Sequence, residues 1–444
     1  IDTVDIQNIT FVPMVKNILG TTGTRILNAF VNLIILISLT RELGSEGFGV
    51  IMLVLLAITI IQLFIDLIAG SSLIYFTPRT SVLKLLLPSY LWIAIIISLS
   101  YFLLGILSSH FQGLYNIIIP DGYEMDIIVL ASLNALMLTN YNILLGSKRI
   151  GTYNIVFTIQ ILTLLLVLIG KLFYLNEISV DSWISAVFYS YLLGYLLSLV
   201  AVLYKIRSFN LSGGIRLIVD VFKYGFTTQV ANMLHMGNKR ISLYFLNIFT
   251  GINAVGIYGA GTQLTEGLRL IGQSISLVQF SEISNSNSKE FAKIVTIKLM
   301  KFSVILTIFA LLILIIIPTS IYEYVFTSEF ENLKIIIVAL SPGVIALSIN
   351  TIFSHYFSGL GRPIISLWAN AVGMIVTILL AIVLIPMIGY VGAAITASVS
   401  YIITVIYQYR IFNKETGTTF QNWLPNGNDI KDLKNIFKYW KKHD

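Results

Sequence analysis

Six charged residues fall inside apolar runs long enough to cross a bilayer: Arg25, Asp66, Lys239, Arg240, Glu266 and Arg269. A charge at bilayer depth costs roughly 2.5–3.5 kcal/mol on insertion scales, so it normally faces a protein interior or a watery cavity. Four cations against two anions make such an interior positive, which is chemistry for holding an anion. Covalent or metal chemistry has little to work with. The chain contains no cysteine, and no His, Asp and Glu cluster has metal-ligand spacing. No nucleophile–base pair or phosphate-cradling glycine loop is present either. No cofactor is expected beyond a coupling ion, H+ or Na+, and no enzymatic activity.

The charged residues belong to polar stripes. Thr21, Arg25, Asn28 and Asn32 are spaced by 4, 3 and 4, and a shift of 207 residues carries them onto Thr228, Asn232, His235 and Lys239. That spacing keeps each set on one helix face for three turns, about 16 Å. The same shift places Thr59, Gln62 and Asp66 on Glu266, Arg269 and Gln273, Gly44 on Gly251, and Gly49 on Gly256. A second match, at about 215, sets Leu145-Gly146 against Leu360-Gly361. Two copies of a six-helix unit in the same orientation are therefore expected. Repeats of this kind enclose a mid-membrane binding site in many transporters.

Each residue also has a plainer reading. Arg25 can snorkel to the nearer interface, although its place in a stripe favours the cavity. Glu266 and Arg269, three apart, can pair with each other. Asp66 has no partner on its own helix and either pairs across helices or takes up a proton or sodium ion. Lys239 and Arg240 are adjacent, about 100° apart around a helix; Lys239 fits the stripe, and Arg240 is expected to face a neighbouring helix or the outer headgroups. His235 shares the Lys239 face and can respond to protons or stay neutral and hydrogen-bonded. His355 is expected to be structural.

These residues are carried by elements that composition places in a membrane. Hydrophobic residues make up 57% and charged residues 11%, against about 25% charged in soluble domains; mean hydropathy is +0.88. Twelve spans are expected at 17–39, 48–73, 85–107, 126–145, 150–174, 182–204, 222–249, 253–280, 298–318, 333–358, 364–386 and 391–412. Connections are too short for a soluble catalytic domain. The net charge of +7 reflects topology and not nucleic-acid binding. Of 28 Lys and Arg, four lie in spans and only Arg41, Lys171 and Lys334 fall in outer segments if the N-terminus is cytoplasmic. Positive charge is retained on the cytoplasmic side, so both termini are expected there. Residues 1–16, with Asp2 and Asp5 and no basic n-region, do not read as a signal peptide. The expected fold class is thus an all-α polytopic membrane protein, with 12 transmembrane helices in two pseudo-symmetric six-helix lobes around a central cavity. The lobes are 1–205 and 206–412. Residues 413–444 form a basic tail in which Ile430, Leu433, Phe437 and Trp440 share one face, a pattern suited to an amphipathic helix on anionic lipid.

The turn Arg41-Glu-Leu-Gly-Ser-Glu-Gly-Phe-Gly49 resembles the signature after the first helix of Wzx-type polysaccharide flippases, members of the multidrug/oligosaccharidyl-lipid/polysaccharide (MOP) exporter superfamily. Gly359-Leu-Gly-Arg-Pro363 and Leu384-Ile-Pro-Met-Ile-Gly-Tyr-Val-Gly-Ala-Ala-Ile-Thr-Ala397 are similar to its late-helix signatures. The resemblance implies a two-lobed protein of twelve to fourteen helices. It implies movement of an undecaprenyl-pyrophosphate-linked O-antigen or capsule repeat unit from the inner to the outer leaflet of the bacterial plasma membrane. It places cations of helices 1, 2, 7 and 8 in the cavity, where Arg25, Lys239 and Arg269 match; helix 2 departs, offering Asp66 instead. On this reading Arg25, Lys239, Arg240 and Arg269 hold anionic parts of the cargo. Asn28, Asn32, Asn232, His235 and Gln273 offer hydrogen bonds, and Asp66 or Glu266 couples an ion. The expected partners are the lipid-linked glycan, membrane lipids and other polysaccharide-assembly membrane proteins, with the chain itself monomeric.

Three other functions compete. A cation-coupled multidrug exporter of the same superfamily would favour an acidic cavity, opposed by the excess of cations. A lipid II flippase commonly has fourteen spans and a still more basic cavity. A membrane polysaccharide polymerase or glycosyltransferase would need larger catalytic loops.

Overall fold

The computed structural model describes residues 11–175, 179–204, 215–284, 288–418 and Trp423; the expected amphipathic tail lies outside these. The described residues are helical apart from short connections between the helices. The helices in chain order are α1 (Phe11–Ala69), α2 (Ser71–Phe76), α3 (Val82–His110), α4 (Gln112–Ile118), α5 (Glu124–Gly146), α6 (Ile150–Leu175) and α7 (Val180–Leu203). They continue as α8 (Ile215–Thr250), α9 (Ile252–Ser284), α10 (Lys289–Ile316), α11 (Thr319–Phe326), α12 (Leu333–Gly359) and α13 (Ile364–Thr416). Eight helical runs among the described residues are long and apolar enough to cross a membrane. Two of these, Leu27–Arg79 and Ile364–Thr416, are 53 residues long, about 80 Å at 1.5 Å per residue, against a hydrocarbon core of about 30 Å.

Each long run is broken where two expected spans adjoin. In α1 the break is Gly44 (φ 65°, ψ −169°). In α13 it is Ile388 and Gly389 (φ 55°), two residues past Pro386, whose missing N–H and ring open the helix there. The turns expected at both places are these breaks, where two helices meet at non-helical backbone with no longer loop between them. The 207-residue offset recurs in the backbone. Gly44 and Gly251 both have positive φ, 65° and 89°. The starts of α3 and α10 (Val82, Lys289) and of α4 and α11 (Gln112, Thr319) are separated by that same offset.

The chain divides into two compact units, one of Ile1–Leu43 and Leu53–Gln229, the other of Gly44–Met52 and Val230–Asp444. In the first, α5 packs on α3 and α7, and α7 on α6. Its interior is apolar with polar cross-ties. Tyr90 Oη donates to Asn140 Oδ1 at 2.9 Å and Asn140 Nδ2 to Ser198 Oγ at 3.1 Å. Gln160 Nε2 donates to Ser190 Oγ at 2.6 Å. Such bonds substitute for the hydrophobic driving force that lipid-embedded helices lack.

In the second unit α12 packs on α9, α10 and α13. Phe353, Tyr356, Phe357 and Phe412 form its aromatic core, with Trp423 against Phe353 and Phe412 at ring distances of 5.8 and 5.3 Å. The Gly359–Pro363 motif is the joint between α12 and α13: Gly361 turns with φ 76°, and Arg362 Nη1 pairs with Glu415 Oε1 at 2.7 Å.

The Arg41–Gly49 motif has an equally local cause. Glu329 Oε2 accepts the Ser45 backbone N–H at 2.6 Å, capping the helix that restarts after Gly44 with a negative charge at its N-terminus. A Cβ on Gly44 would lie 2.9 Å from the same carboxylate. Two further glycines meet backbone reciprocally. A Cβ on Gly49 would lie 2.2 Å from Ile252 O, and one on Gly256 would lie 1.9 Å from Ser45 O. Each partner is the other's equivalent at the 207-residue offset. Glu329→Gln keeps the size and removes the charge, and is expected to lower stability by about 1 kcal/mol, read as a lower melting temperature of the detergent-solubilised protein.

Candidate functional site

In the second unit Lys239 and Arg240 converge on one carboxylate. Lys239 Nζ lies 3.0 Å from Glu266 Oε1, and Arg240 Nη2 lies 3.0 Å from Glu266 Oε2. The Lys239 side chain is 4% exposed, Arg240 22% and Glu266 24%, so the cluster is sealed on the lysine side and open at the carboxylate and arginine. Adjacent residues on a helix diverge by about 100°, the basis for expecting Arg240 elsewhere. Their long side chains recover the difference, and the two oxygens of a carboxylate accept from both. The backbones of Arg25 and Arg269 lie in α1 and α9, but their side chains fall outside the described residues.

The lysine is aimed by its neighbour. Asn238, 2% exposed, is bound to α13 on both sides of the kink: Thr377 and Ser400 both donate to its Oδ1, Ser400 at 2.6 Å. Ser400 Oγ also lies 2.7 Å from Gly373 O. A Cβ at Gly373 would lie 2.5 Å from Asn238 Nδ2 and 2.2 Å from Thr404 Oγ1, so glycine is what lets the amide approach. This knot fixes α8 one residue before Lys239, while α9 supplies Glu266. Sequence reading passed over Asn238; the only signal was an amide in an apolar run beside a charged pair, and its partners lie 135 or more residues away.

In the first unit Asp66 is half-buried. Gln62 Nε2 donates to Asp66 Oδ1 at 2.7 Å, and Asn134 Nδ2 donates to Gln62 Oε1 at 3.3 Å. Among the described residues no cation pairs with this carboxylate. It is held by a neutral amide relay that runs from Asn134 through Gln62.

The polar residues of the stripes have different environments. Asn28 is buried, and neither side-chain amide atom has a hydrogen-bond partner; Asn32 and Asn232 are exposed, while His235 and Gln273 are half-buried. His355 is also half-buried, in α12. A separate cavity of about 330 Å³ at the N-terminal ends of α5 and α7 is lined by Asp126, Asp181, Ser185 and Tyr189. Its two carboxylates make it unsuited to an anion. No group of His, Asp and Glu that could hold a metal occurs among the described residues.

The fold is that of the MOP-superfamily transporters. The chain superposes on the lipid II flippase MurJ in an inward closed conformation with a TM-score of 0.71, at 16% identity over 96% of this chain and 93% of that one. It also superposes on an inward-facing multidrug resistance MATE family transporter of the MOP superfamily, with a TM-score of 0.69, at 15% identity over 90% and 99%. By sequence it is 22% identical to the probable low-salt glycan biosynthesis flippase Agl15 of Haloferax volcanii over 240 residues, 53% of this chain and 51% of that protein. It is 30% identical to an uncharacterised membrane protein of Methanocaldococcus jannaschii over 217 residues, 47% and 42%. The chain thus spans about half the length of the curated relatives it matches. No family model matches it.

Proposed function

We propose that the chain is a flippase for a lipid-linked oligosaccharide, binding the anionic phosphate or pyrophosphate of a polyprenyl carrier such as undecaprenyl pyrophosphate and moving the glycan between leaflets by alternating access. The observation that carries this reading is the Lys239–Arg240–Glu266 cluster: two cations share one carboxylate between α8 and α9, leaving a net positive charge with its open side at Arg240 and Glu266. A glycan and a pyrophosphate cannot enter hydrocarbon unassisted, because stripping their hydration is prohibitive; a cationic, hydrogen-bonding interior replaces that hydration. Similarity to a probable glycan flippase and to the MurJ fold supports the same class of cargo. Arg25 and Arg269 complete the cation set, and Asn28 offers an unsatisfied buried amide toward sugar.

On this reading the helical runs form twelve spans in two six-helix halves, both termini are cytoplasmic, and the membrane is the plasma membrane in which the glycan is assembled. Asp66, held by Gln62 and Asn134 and facing no described cation, is the group placed to couple transport to H+ or Na+. The same carboxylate, with no cation against it among the described residues, is what favours the second reading, a cation-coupled drug exporter.

The test is reconstitution. Proteoliposomes carrying a fluorescent polyprenyl-pyrophosphate-linked oligosaccharide should show protein-dependent exchange between leaflets, measured by quenching from outside. Lys239→Met should slow that exchange by about tenfold or more, the usual consequence of breaking a buried charge contact. Efflux of a cationic dye with no movement of the lipid-linked glycan would replace this reading with the drug exporter.

A further inference from the structure

We infer that Glu266 is the resident counter-ion of the cargo site, occupying Lys239 and Arg240 while the site is empty and giving way to the anionic group of the cargo. The inference rests on the cargo reading above and adds a residue that sets affinity and turnover within it.

Three observations carry it. First, Glu266 spends both carboxylate oxygens on the two cations, one each at 3.0 Å, so an incoming anion meets cations already engaged. Second, the engagement is uneven in depth. Lys239 is sealed at 4% exposed, whereas Glu266 and Arg240 keep about a quarter of their side chains exposed at 24% and 22%. The anion of the cluster is therefore at its open edge, where a competitor can reach it. Third, the helix beside it is open: Gly267 is exposed, and a Cβ built on it meets no atom within 4 Å. The surface next to Glu266 on its own helix is therefore open to an incoming group.

The charges explain why such a residue is useful. Two desolvated cations without an anion are strongly unfavourable, so a carrier returning empty needs something to replace the cargo's charge. A pyrophosphate brings more than one negative charge and oxygens on two phosphorus atoms, so it can engage Lys239 and Arg240 more fully than one carboxylate. When the cargo leaves, Glu266 closes on the cations again. Binding and release thus become an exchange between a fixed anion and a mobile one. The exchange weakens binding and speeds release.

The experiment measures binding of inorganic pyrophosphate to the purified full chain by calorimetry, alongside thermal melting. Glu266→Gln should bind pyrophosphate more tightly, on the order of tenfold, a usual size for coupling between two competing ligands. Its melting temperature should fall without pyrophosphate and rise further than the wild type's when pyrophosphate is added, because a ligand stabilises the state it binds. In the leaflet-exchange assay KM and kcat should both fall. Glu266→Asp keeps the charge on a shorter stem that cannot span both cations; it should tighten binding severalfold, and it serves if Glu266→Gln does not fold. Unchanged or weaker pyrophosphate binding in a folded Glu266 variant would overturn the inference and leave Glu266 a structural ion pair. Wild-type binding retained by both Lys239→Met and Arg240→Met would instead overturn the cargo site itself.

Discussion

Gly256→Val should abolish accumulation of folded protein, at a cost above about 3 kcal/mol. The cause is backbone against backbone. A Cβ on Gly256 would stand 1.9 Å from Ser45 O, 2.9 Å from Ser45 C and 3.0 Å from Gly49 N. None of these atoms sits on a side chain that can rotate away. The segment Gly44–Met52 would have to lift, taking with it the Ser45 N–H that Glu329 caps at 2.6 Å and the contact of Met52 with Gly259. Gly49→Val should fail in the same way, since its Cβ would stand 2.2 Å from Ile252 O. Gly267→Ala is the control: no atom lies within 4 Å of its Cβ, and alanine favours an exposed helix position over glycine. Size-exclusion profiles and melting curves in detergent check all three. Folded Gly256→Val with a normal melting temperature would show that the close crossing of these two helices is not required.

Asn238→Leu should destabilise the protein by about 2 kcal/mol and slow transport as well. The substitution removes the acceptor shared by Thr377 and Ser400 and forces a branched side chain against Gly373. The two hydroxyls are not stranded completely, because Gly373 O lies 2.7 Å from Ser400 Oγ and 3.1 Å from Thr377 Oγ1. That fallback, and the modest worth of polar contacts between membrane helices, keeps the penalty below that of Gly256→Val. The transport defect follows from position: Asn238 ties α8 to α13 one residue before Lys239, so releasing it loosens the cation that Glu266 holds. Thr377→Val should show a weaker form of both effects. A stable Asn238→Leu protein with wild-type leaflet exchange would separate the polar knot from the cation cluster.

Much of the architecture was legible in the residues because the bilayer limits the choices. A chain with 57% hydrophobic and 11% charged residues has to be helical where it meets lipid, since every backbone polar group must be satisfied within its own segment. The paired glycines 44 and 251 were visible as matches at a single offset, and both adopt the positive φ that favours glycine. What that alignment did not reveal is that Gly49 and Gly256 close on each other's segment. An offset relates equivalent positions; it says nothing about which of them touch.

The candidate site divides along the same line. Residue type and hydrophobic context singled out Lys239, Arg240, Glu266 and Asp66, because charge within an apolar run is costly wherever the helix lies. Helical spacing could not choose their partners. It allowed Glu266 to pair with Arg269, whose side chain lies outside the described residues, and it separated Lys239 from Arg240, since it treats side chains as radial spokes of one cylinder. Long side chains instead bend toward a shared acceptor on a neighbouring helix. It likewise grouped Asn28 with Asn32 on one face, yet the first is buried without a partner and the second exposed, because spacing along a helix does not say which of its turns is covered. Sequence alone determined that this is a helical membrane protein and which of its charges are costly to bury, for desolvation constrains each residue separately. Only the tertiary structure decided that two of those cations share Glu266, that Asp66 rests on an amide relay and that Asn238 anchors the cluster, because pairing depends on how helices distant in the chain pack together.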